Sequence, residues 1–84
     1  MKEIIFSAHA LANISKRGFT KEEVIETIES EKWETNELGK LECKRNFIFN
    51  NLWNGKLYQT KQVKPIFAET EKQIVIITVY TYYF

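Results

Sequence analysis

Apolar and polar positions follow a helical period in the first third of the chain and a strand period over most of the rest. Residues 2–6 (KEIIF) predict a short strand, and residues 8–17 predict a helix. A second helix is predicted to begin after Thr20 and to end near Ser30. Its buried stripe is expected to consist of Val24, Ile25 and Ile28.

Capping residues define the ends of both predicted helices. Ser7 fits the N-cap of the first helix, since its hydroxyl can accept a hydrogen bond from an unpaired amide of the first turn. Gly18 fits the left-handed position that ends a helix. Thr20 and Glu23 have the spacing of a capping box, in which each side chain binds the backbone N–H of the other residue. Two helices joined by a glycine turn are therefore expected.

Strand signals occupy the middle of the chain. Residues 33–38 predict a strand with a turn at residues 37–40, and residues 41–50 alternate in the manner of a strand. One face of this second strand would carry Leu41, Cys43, Arg45, Phe47 and Phe49. Asn54 and Gly55 then predict a hairpin turn, because both residue types tolerate a positive φ.

Two further strands are predicted over residues 56–68 and 73–82, separated by a turn at residues 70–72. Pro65 has no N–H to give to a ladder, so it indicates an edge position or a bulge. Residues 73–82 are β-branched and aromatic, which predicts a central strand buried on both faces. The order predicts an α+β fold: a strand and two N-terminal helices packed on a four- to five-stranded, mainly antiparallel sheet.

Composition narrows the class of protein. The 84 residues are expected to form one domain, 1–84, and 44% hydrophobic with 27% charged residues is typical of a soluble globular protein. No run approaches the ~18 apolar residues of a spanning helix, and the first residues lack the features of a secretion signal. A single cysteine, Cys43, and a single histidine, His9, argue against a disulfide and a metal site. We therefore expect a cytoplasmic protein with no membrane association, metal or other cofactor.

Charge is distributed unevenly, although the formal net charge is only +1. Residues 21–37 carry two lysines against seven glutamates, whereas residues 38–64 carry six basic residues against one glutamate. Such asymmetry permits a face that binds a polyanion; it is equally typical of two solvated faces of opposite sign.

Several short motifs occur in the order found in a known family. They are His9-Ala10, Arg17-Gly18, Val24, KQVKPIFAE at 61–69 and IVIITVYTYYF at 74–84. Over residues 6–84 the chain thereby resembles the domain-of-unknown-function family 4258, within the RelE/ParE-like toxin superfamily. The segment NISKRGFTKEEV at 13–24 is also similar to the BrnT toxins, which have histidine where this chain has Arg17.

The resemblance implies a small cytoplasmic toxin of a toxin–antitoxin system, paired with an antitoxin protein. Many such toxins cleave RNA, often on the ribosome, without a metal ion, and others have different targets and no nuclease activity. The implied function is that of a RelE-like metal-independent endoribonuclease. An enzyme for a small metabolite is not expected, because the sequence has neither a phosphate-binding glycine loop nor a nucleophile motif.

Metal-independent RNA cleavage requires a base, an acid, and cations that hold the charged phosphorane. Histidine is the side-chain type that titrates near neutrality, and the spacing sets His9, Asn13 and Lys16 or Arg17 along one edge of the first helix. The candidate catalytic residues are His9, Arg17, Lys61 and Tyr80. The candidate RNA-binding residues are Asn13, Lys16, Lys44, Arg45 and Tyr82, and only one of Lys44 and Arg45 can face the site.

Each candidate also has a structural interpretation. His9 can position the first helix, and Arg17 can interact with that helix's C-terminus. Tyr80 and Tyr82 can be core and edge aromatics, and Cys43 a small buried hydrophobic residue. The alternative function is accordingly a non-catalytic protein-binding module, or a degenerate toxin regulated by a small partner, which accepts a partner's strand at a sheet edge near Pro65.

Overall fold

The computed structural model describes residues 2–84. In these residues one strand is followed by three helices and then by five strands. The helices are α1 (Ala8–Ala12), α2 (Ile14–Arg17) and α3 (Lys21–Ser30). The strands are β1 (Glu3–Phe6), β2 (Glu34–Thr35), β3 (Leu41–Glu42), β4 (Arg45–Trp53), β5 (Lys56–Glu69) and β6 (Gln73–Tyr83). No helix within residues 2–84 has the length and apolar character needed to cross a membrane.

One sheet contains all six of these strands. Its order is β1-β6-β5-β3-β2, and β4 pairs with β5 beyond the end of β3. Only the β1–β6 pairing is parallel; the other pairings are antiparallel. The general prediction of an α+β fold with a mainly antiparallel sheet is therefore confirmed, with one more strand than the predicted range.

The predicted capping interactions are present. The Ser7 hydroxyl accepts a hydrogen bond from the Ala10 amide at 3.0 Å, and Gly18 ends α2 with φ at 76°. Thr20 and Glu23 form both hydrogen bonds of a capping box, at 2.9 and 3.1 Å, and α3 ends at Ser30 as predicted.

The first helix was predicted to be continuous over residues 8–17, and this prediction is wrong. Asn13 separates α1 from α2 because its side-chain amide donates to the carbonyl of His9 at 2.9 Å, the acceptor that the Asn13 backbone N–H would use in an α-helix. The Asn13 N–H bonds instead to the Ala10 carbonyl, one residue closer. The α-helical hydrogen-bond pattern is thereby interrupted at a single residue.

Strand boundaries differ most from the prediction between residues 33 and 50. The predicted strand over residues 33–38 is reduced to β2, and the one over residues 41–50 is interrupted at Cys43–Lys44. The hairpin at Asn54-Gly55 is confirmed, since both residues have positive φ, 52° and 80°.

Pro65 lies in an interior strand, so the expected edge position is wrong and no free sheet edge lies there for a partner. The other expectation holds, since the register of β5 on β6 shifts between Ile66 and Phe67. Thr60 and Phe84 exchange both backbone hydrogen bonds, so by alternation Pro65 and Val79 form a non-hydrogen-bonded pair. The ladder with β6 therefore needs no N–H from Pro65. The backbone of Pro65 faces the other side of β5, where the pairing with β3 and β4 is interrupted at residues 43–44.

The hydrophobic core lies between the helices and one face of the sheet. Its buried members are Ala10, Phe19, Val24, Ile28, Cys43, Val63, Phe67, Ile74, Ile76 and Val79. The predicted stripe of α3 is changed at one position, because Thr27 is buried and Ile25 is only half-buried. Within residues 2–84, no helix or strand covers the opposite face of the sheet. Tyr80 and Tyr82 are exposed on it, which corrects the expectation that the last strand is buried on both faces.

Candidate nucleic-acid interface

The second half of β6 forms a free edge of the sheet. β1 pairs with β6 only as far as Ile76, so residues 78–83 have a strand partner on one side, β5. Arg17 lies at this edge and donates from Nη1 to the Val79 carbonyl at 2.8 Å and to the Thr78 hydroxyl at 3.1 Å. Its guanidinium therefore occupies the end of the free edge nearest to β1.

The end of α2 is fixed to the same strand. The Arg17 carbonyl, at the C-terminus of α2, accepts hydrogen bonds from the Thr81 hydroxyl at 2.6 Å and the Tyr83 hydroxyl at 2.8 Å. Carbonyl groups at a helix end lack intrahelical partners, so β6 supplies the missing donors. Arg17 is thus held through both its backbone and its side chain.

A cation and two aromatic rings meet where this edge joins the open face. The Arg17 guanidinium lies 5.1 Å from the centroid of the Tyr80 ring, a cation–π distance. Tyr80 is 42% exposed, and Tyr82, two residues further on the same face, is 46% exposed. The surface formed by Arg17, Tyr80 and Tyr82 is called the Arg–Tyr surface below.

Polar side chains of the neighbouring strands adjoin the Arg–Tyr surface. The register places Lys64 opposite Tyr80 and Gln62 opposite Tyr82. Lys64 forms an ion pair with Glu42 at 3.1 Å, and Gln62 donates to the Asn46 side chain at 2.8 Å. These groups offer hydrogen bonds next to the rings, while Arg17 is the cation in contact with a ring.

His9 is exposed on α1, and its Nε2 lies 3.3 Å from the side-chain nitrogen of Asn13. Since an amide nitrogen only donates, Nε2 is the acceptor in this contact. Asn13 is 9% exposed and also binds the His9 carbonyl, so its role is to form the break between α1 and α2. Among residues 2–84, no hydrogen bond joins His9 to Arg17, Lys61 or Tyr80.

Lys61 is buried on the helix-covered face of the sheet. Its side chain is 8% exposed, and Nζ lies 2.8 Å from Glu23 Oε2 and 3.0 Å from the Gly18 carbonyl. The ring centroid of Phe49 is 5.5 Å from Nζ. Because the other oxygen of Glu23 accepts from Thr20, these contacts tie β5 to the first turn of α3. They give Lys61 a structural role, and we leave it out of the candidate site.

Each of the remaining basic candidates has different neighbours. Arg45 is bonded to Glu31 at 2.8 Å and lies 3.6 Å from Glu26, so it belongs to an ionic cluster with the end of α3. Lys44 is exposed beside a cavity of about 220 Å³ whose other lining residues are Glu31, Lys32, Glu34, Glu42 and Cys43. Lys16 is exposed on α2, one residue before Arg17. Of the basic candidates, Arg17 alone contacts a predicted aromatic residue of the site.

Cys43 is buried, as its structural interpretation predicted. Burial, followed by the negative charges of Glu31 and Glu42, raises the pKa of its thiol to about 12. Such a thiol is a poor nucleophile near neutral pH. Within the described residues, no three His, Cys, Asp or Glu side chains are grouped to hold a metal ion.

The sequence did not indicate several residues that shape this site. Thr78, Thr81 and Tyr83 bind Arg17. The strand alternation offered a signal for two of them, since Thr81 and Tyr83 share the face opposite to Tyr80 and Tyr82.

No family model, curated protein or solved structure matches the chain.

Proposed function

We propose that this protein is a toxin-like protein that acts on RNA and binds single-stranded RNA at the Arg–Tyr surface. The observation that carries the proposal is the Arg17 guanidinium held 5.1 Å from the ring of the exposed Tyr80, with Tyr82 exposed on the same strand face. Aromatic rings beside a fixed cation are the usual means of binding an unpaired base and its phosphate.

Physical chemistry favours a single strand over a duplex. Stacking of an unpaired base on an aromatic side chain contributes roughly 1–3 kcal/mol, and in a duplex the bases are not accessible for it. The hydrogen bonds of Arg17 to β6 both use Nη1. The other guanidinium nitrogens can therefore pair with a phosphate, and the guanidinium plane can stack on a base. Tyr80 and Tyr82 are both exposed on this face, so each ring is accessible to a base.

Cleavage is the second part of the proposal. The resemblance to RelE/ParE-like toxins supports a metal-independent endoribonuclease, and the exposed His9 is the candidate for proton transfer. Arg17 is the candidate for stabilising the phosphorane, and Tyr80 positions the base. On the same resemblance we propose a cytoplasmic site of action and regulation by an antitoxin.

A binding measurement tests the first part. Fluorescence anisotropy of a labelled ten-nucleotide single-stranded RNA is measured at fixed low salt with the protein, with Tyr80→Ala/Tyr82→Ala and with the control Leu52→Ala, an exposed apolar residue near the Asn54-Gly55 turn. We expect about tenfold or greater weakening in the double variant and none in the control. Equal binding by all three proteins would contradict the proposed surface.

Product analysis tests the second part. RNA is incubated with the protein in EDTA, beside His9→Ala and the control Lys32→Ala, which is exposed after α3. Loss of cleavage in His9→Ala alone supports the assignment. Equal cleavage in both variants would remove His9 from the mechanism, and no cleavage by the parent would leave RNA binding without catalysis.

That last outcome corresponds to a second candidate function, a degenerate toxin that binds but does not cleave. It is favoured by the burial of Lys61, because one of the four predicted catalytic side chains is bonded to Glu23 and Gly18 inside the protein. Growth arrest on expression without RNA cleavage would distinguish it from the nuclease.

A further inference from the structure

A second surface lies beside β1, which covers the first half of β6 on the same side of the sheet where the second half of β6 is a free edge. A groove of about 470 Å³ opens there between β1 and the end of α3. Its lining residues are Lys2, Ile4, Ile28, Glu29, Trp33, Glu69 and Ile74. Ile28 and Ile74 are nearly buried, so the groove has an apolar floor.

Trp33 forms a rigid wall of the groove. Its indole N–H donates to the Ile28 carbonyl at 2.9 Å, and its ring packs edge-on against Phe67 with centroids 5.1 Å apart. Lys2 is fixed at the rim by Glu69 at 2.9 Å and by the Thr70 carbonyl at 2.7 Å. Because both side chains are held by the protein's own contacts, the groove is preformed.

β1 adds unpaired backbone groups to this groove. The Ser7 N–H bonds to the Ile76 carbonyl, and the parallel register pairs Phe6 with Ile76. Alternate residues of a parallel strand face its partner, so the backbone groups of Glu3, Ile5 and Ser7 face β6. Those of Ile4 and Phe6 point away from the sheet, and β1 has no second strand partner among the described residues. Ile4 therefore combines a side chain in the groove with a free N–H and C=O.

The charges around the groove favour a ligand that carries positive charge. Lys2 is neutralised by Glu69, whereas Glu29, exposed at the rim, forms no ion pair within residues 2–84. Glu22, on the same helix, is also exposed and lies in a segment of net charge −5. A ligand of this groove gains from positive charge next to its apolar group.

We propose that this edge binds an extended, basic segment of a partner protein, which adds a strand to β1 and places a bulky apolar side chain in the groove. The strand supplies hydrogen bonds to Ile4 and Phe6, the apolar residue covers Ile28 and Ile74, and flanking lysines or arginines approach Glu29. The proposal does not depend on RNA binding, because none of these residues belongs to the Arg–Tyr surface.

Designed peptides test the proposal without a known partner. The probe is acetyl-KTKVLVKTK-amide, in which one leucine shares a strand face with lysines, and its counterpart is acetyl-ETEVLVETE-amide. Binding is followed by the amide shifts of Ile4 and Phe6 and the indole shift of Trp33 in NMR spectra. We expect shifts at these positions with the basic peptide and at least about tenfold weaker binding of the acidic one. Equal binding of both peptides, or shifts centred on Tyr80 and Tyr82, would overturn the proposal.

Backbone methylation tests strand addition itself. Two forms of the basic peptide carry N-methyl groups at alternate residues, one at odd and one at even positions, so only one form blocks the N–H groups that face β1. We expect that form to bind about tenfold more weakly than the other, because it cannot donate two backbone hydrogen bonds to β1. If the two forms bind alike, no strand is added and the proposal fails.

A charge reversal in the protein provides a matched control. Glu29→Lys is expected to weaken binding of the basic peptide several-fold. Glu22→Lys, which is also exposed on α3 but lies outside the groove lining, is expected to leave it unchanged. An equal effect of the two substitutions would show that the peptide recognises the acidic helix in general and would overturn the assignment to the groove.

Discussion

Of the three glycines, Gly18 has the least room for a side chain, and we predict that Gly18→Ala destabilises the protein strongly. The residue has φ at 76°, a conformation that costs an L-residue roughly 1–2 kcal/mol. A Cβ at Gly18 would also meet the ring of Trp53 at 2.6 Å and the hydroxyl of Tyr83. Those two rings are stacked with centroids 4.8 Å apart, and the hydroxyl is bonded to Arg17.

The chain contains a control that separates the two costs. Gly55 has φ at 80°, but a Cβ there would meet no atom within 4 Å, so Gly55→Ala carries the backbone cost alone. We expect about 1–2 kcal/mol of destabilisation for Gly55→Ala. Overpacking adds roughly 1–3 kcal/mol, which gives about 2–5 kcal/mol for Gly18→Ala.

Urea unfolding of both variants, followed by circular dichroism, measures the difference. Thermal unfolding gives a second reading, since about 1 kcal/mol corresponds to roughly 4–8 °C in a domain of this size. Equal destabilisation by the two substitutions would refute the reasoning, because it would show that Trp53 and Tyr83 move aside at no cost and that only the backbone conformation matters.

Two further predictions concern buried ionisable groups. Lys61→Met and Glu23→Gln are each expected to lower the free energy of unfolding by roughly 2–4 kcal/mol, because each leaves a partly buried charge without its partner. The double variant should lose clearly less than the sum of the two single variants. Additive values in urea unfolding would contradict a coupled pair. Burial holds the Cys43 thiol protonated to a pKa of about 12, while in the unfolded chain it ionises near 8.5. Ionisation of the thiol therefore stabilises the unfolded state as pH rises. Between pH 8 and pH 10 the free energy of unfolding should fall by about 2 kcal/mol more in the parent protein than in Cys43→Ala. Parallel curves of unfolding free energy against pH would disprove this.

The local features of this fold were predictable because both partners of each interaction lie close in sequence. The hydrogen bonds of Ser7 and of the Thr20–Glu23 capping box span three residues, and the Asn54-Gly55 turn depends on two. In each case residue type alone supplies the required donor, acceptor or backbone freedom.

The break at Asn13 is also local, but the sequence did not decide it. Asparagine tolerates a helix interior when its side chain points to solvent, and it interrupts the helix when its amide takes a backbone acceptor. The burial of Asn13 favours the second arrangement. That burial is a consequence of tertiary packing.

The candidate site was predictable only in part for the same reason. Tyr80 and Tyr82 share a strand face by simple alternation, as expected, whereas their exposure follows from the missing layer on that side of the sheet. Lys61 looked available for chemistry because its partner, Glu23, lies 38 residues earlier in the chain. Arg17 lies 63 residues before Tyr80, and no periodicity connects them.

The parallel pairing of β1 with β6 has a consequence for the order in which the protein folds. β4, β5 and β6 follow one another through tight turns, so their pairings close short loops. Glu3 pairs with Gln73, across a loop of 70 residues, and the entropy of closing a loop rises with its length. We expect the β4–β5–β6 meander to form first and β1 to dock last. In the native state, the amides of β1 should then exchange with solvent through a partial opening that leaves the meander intact.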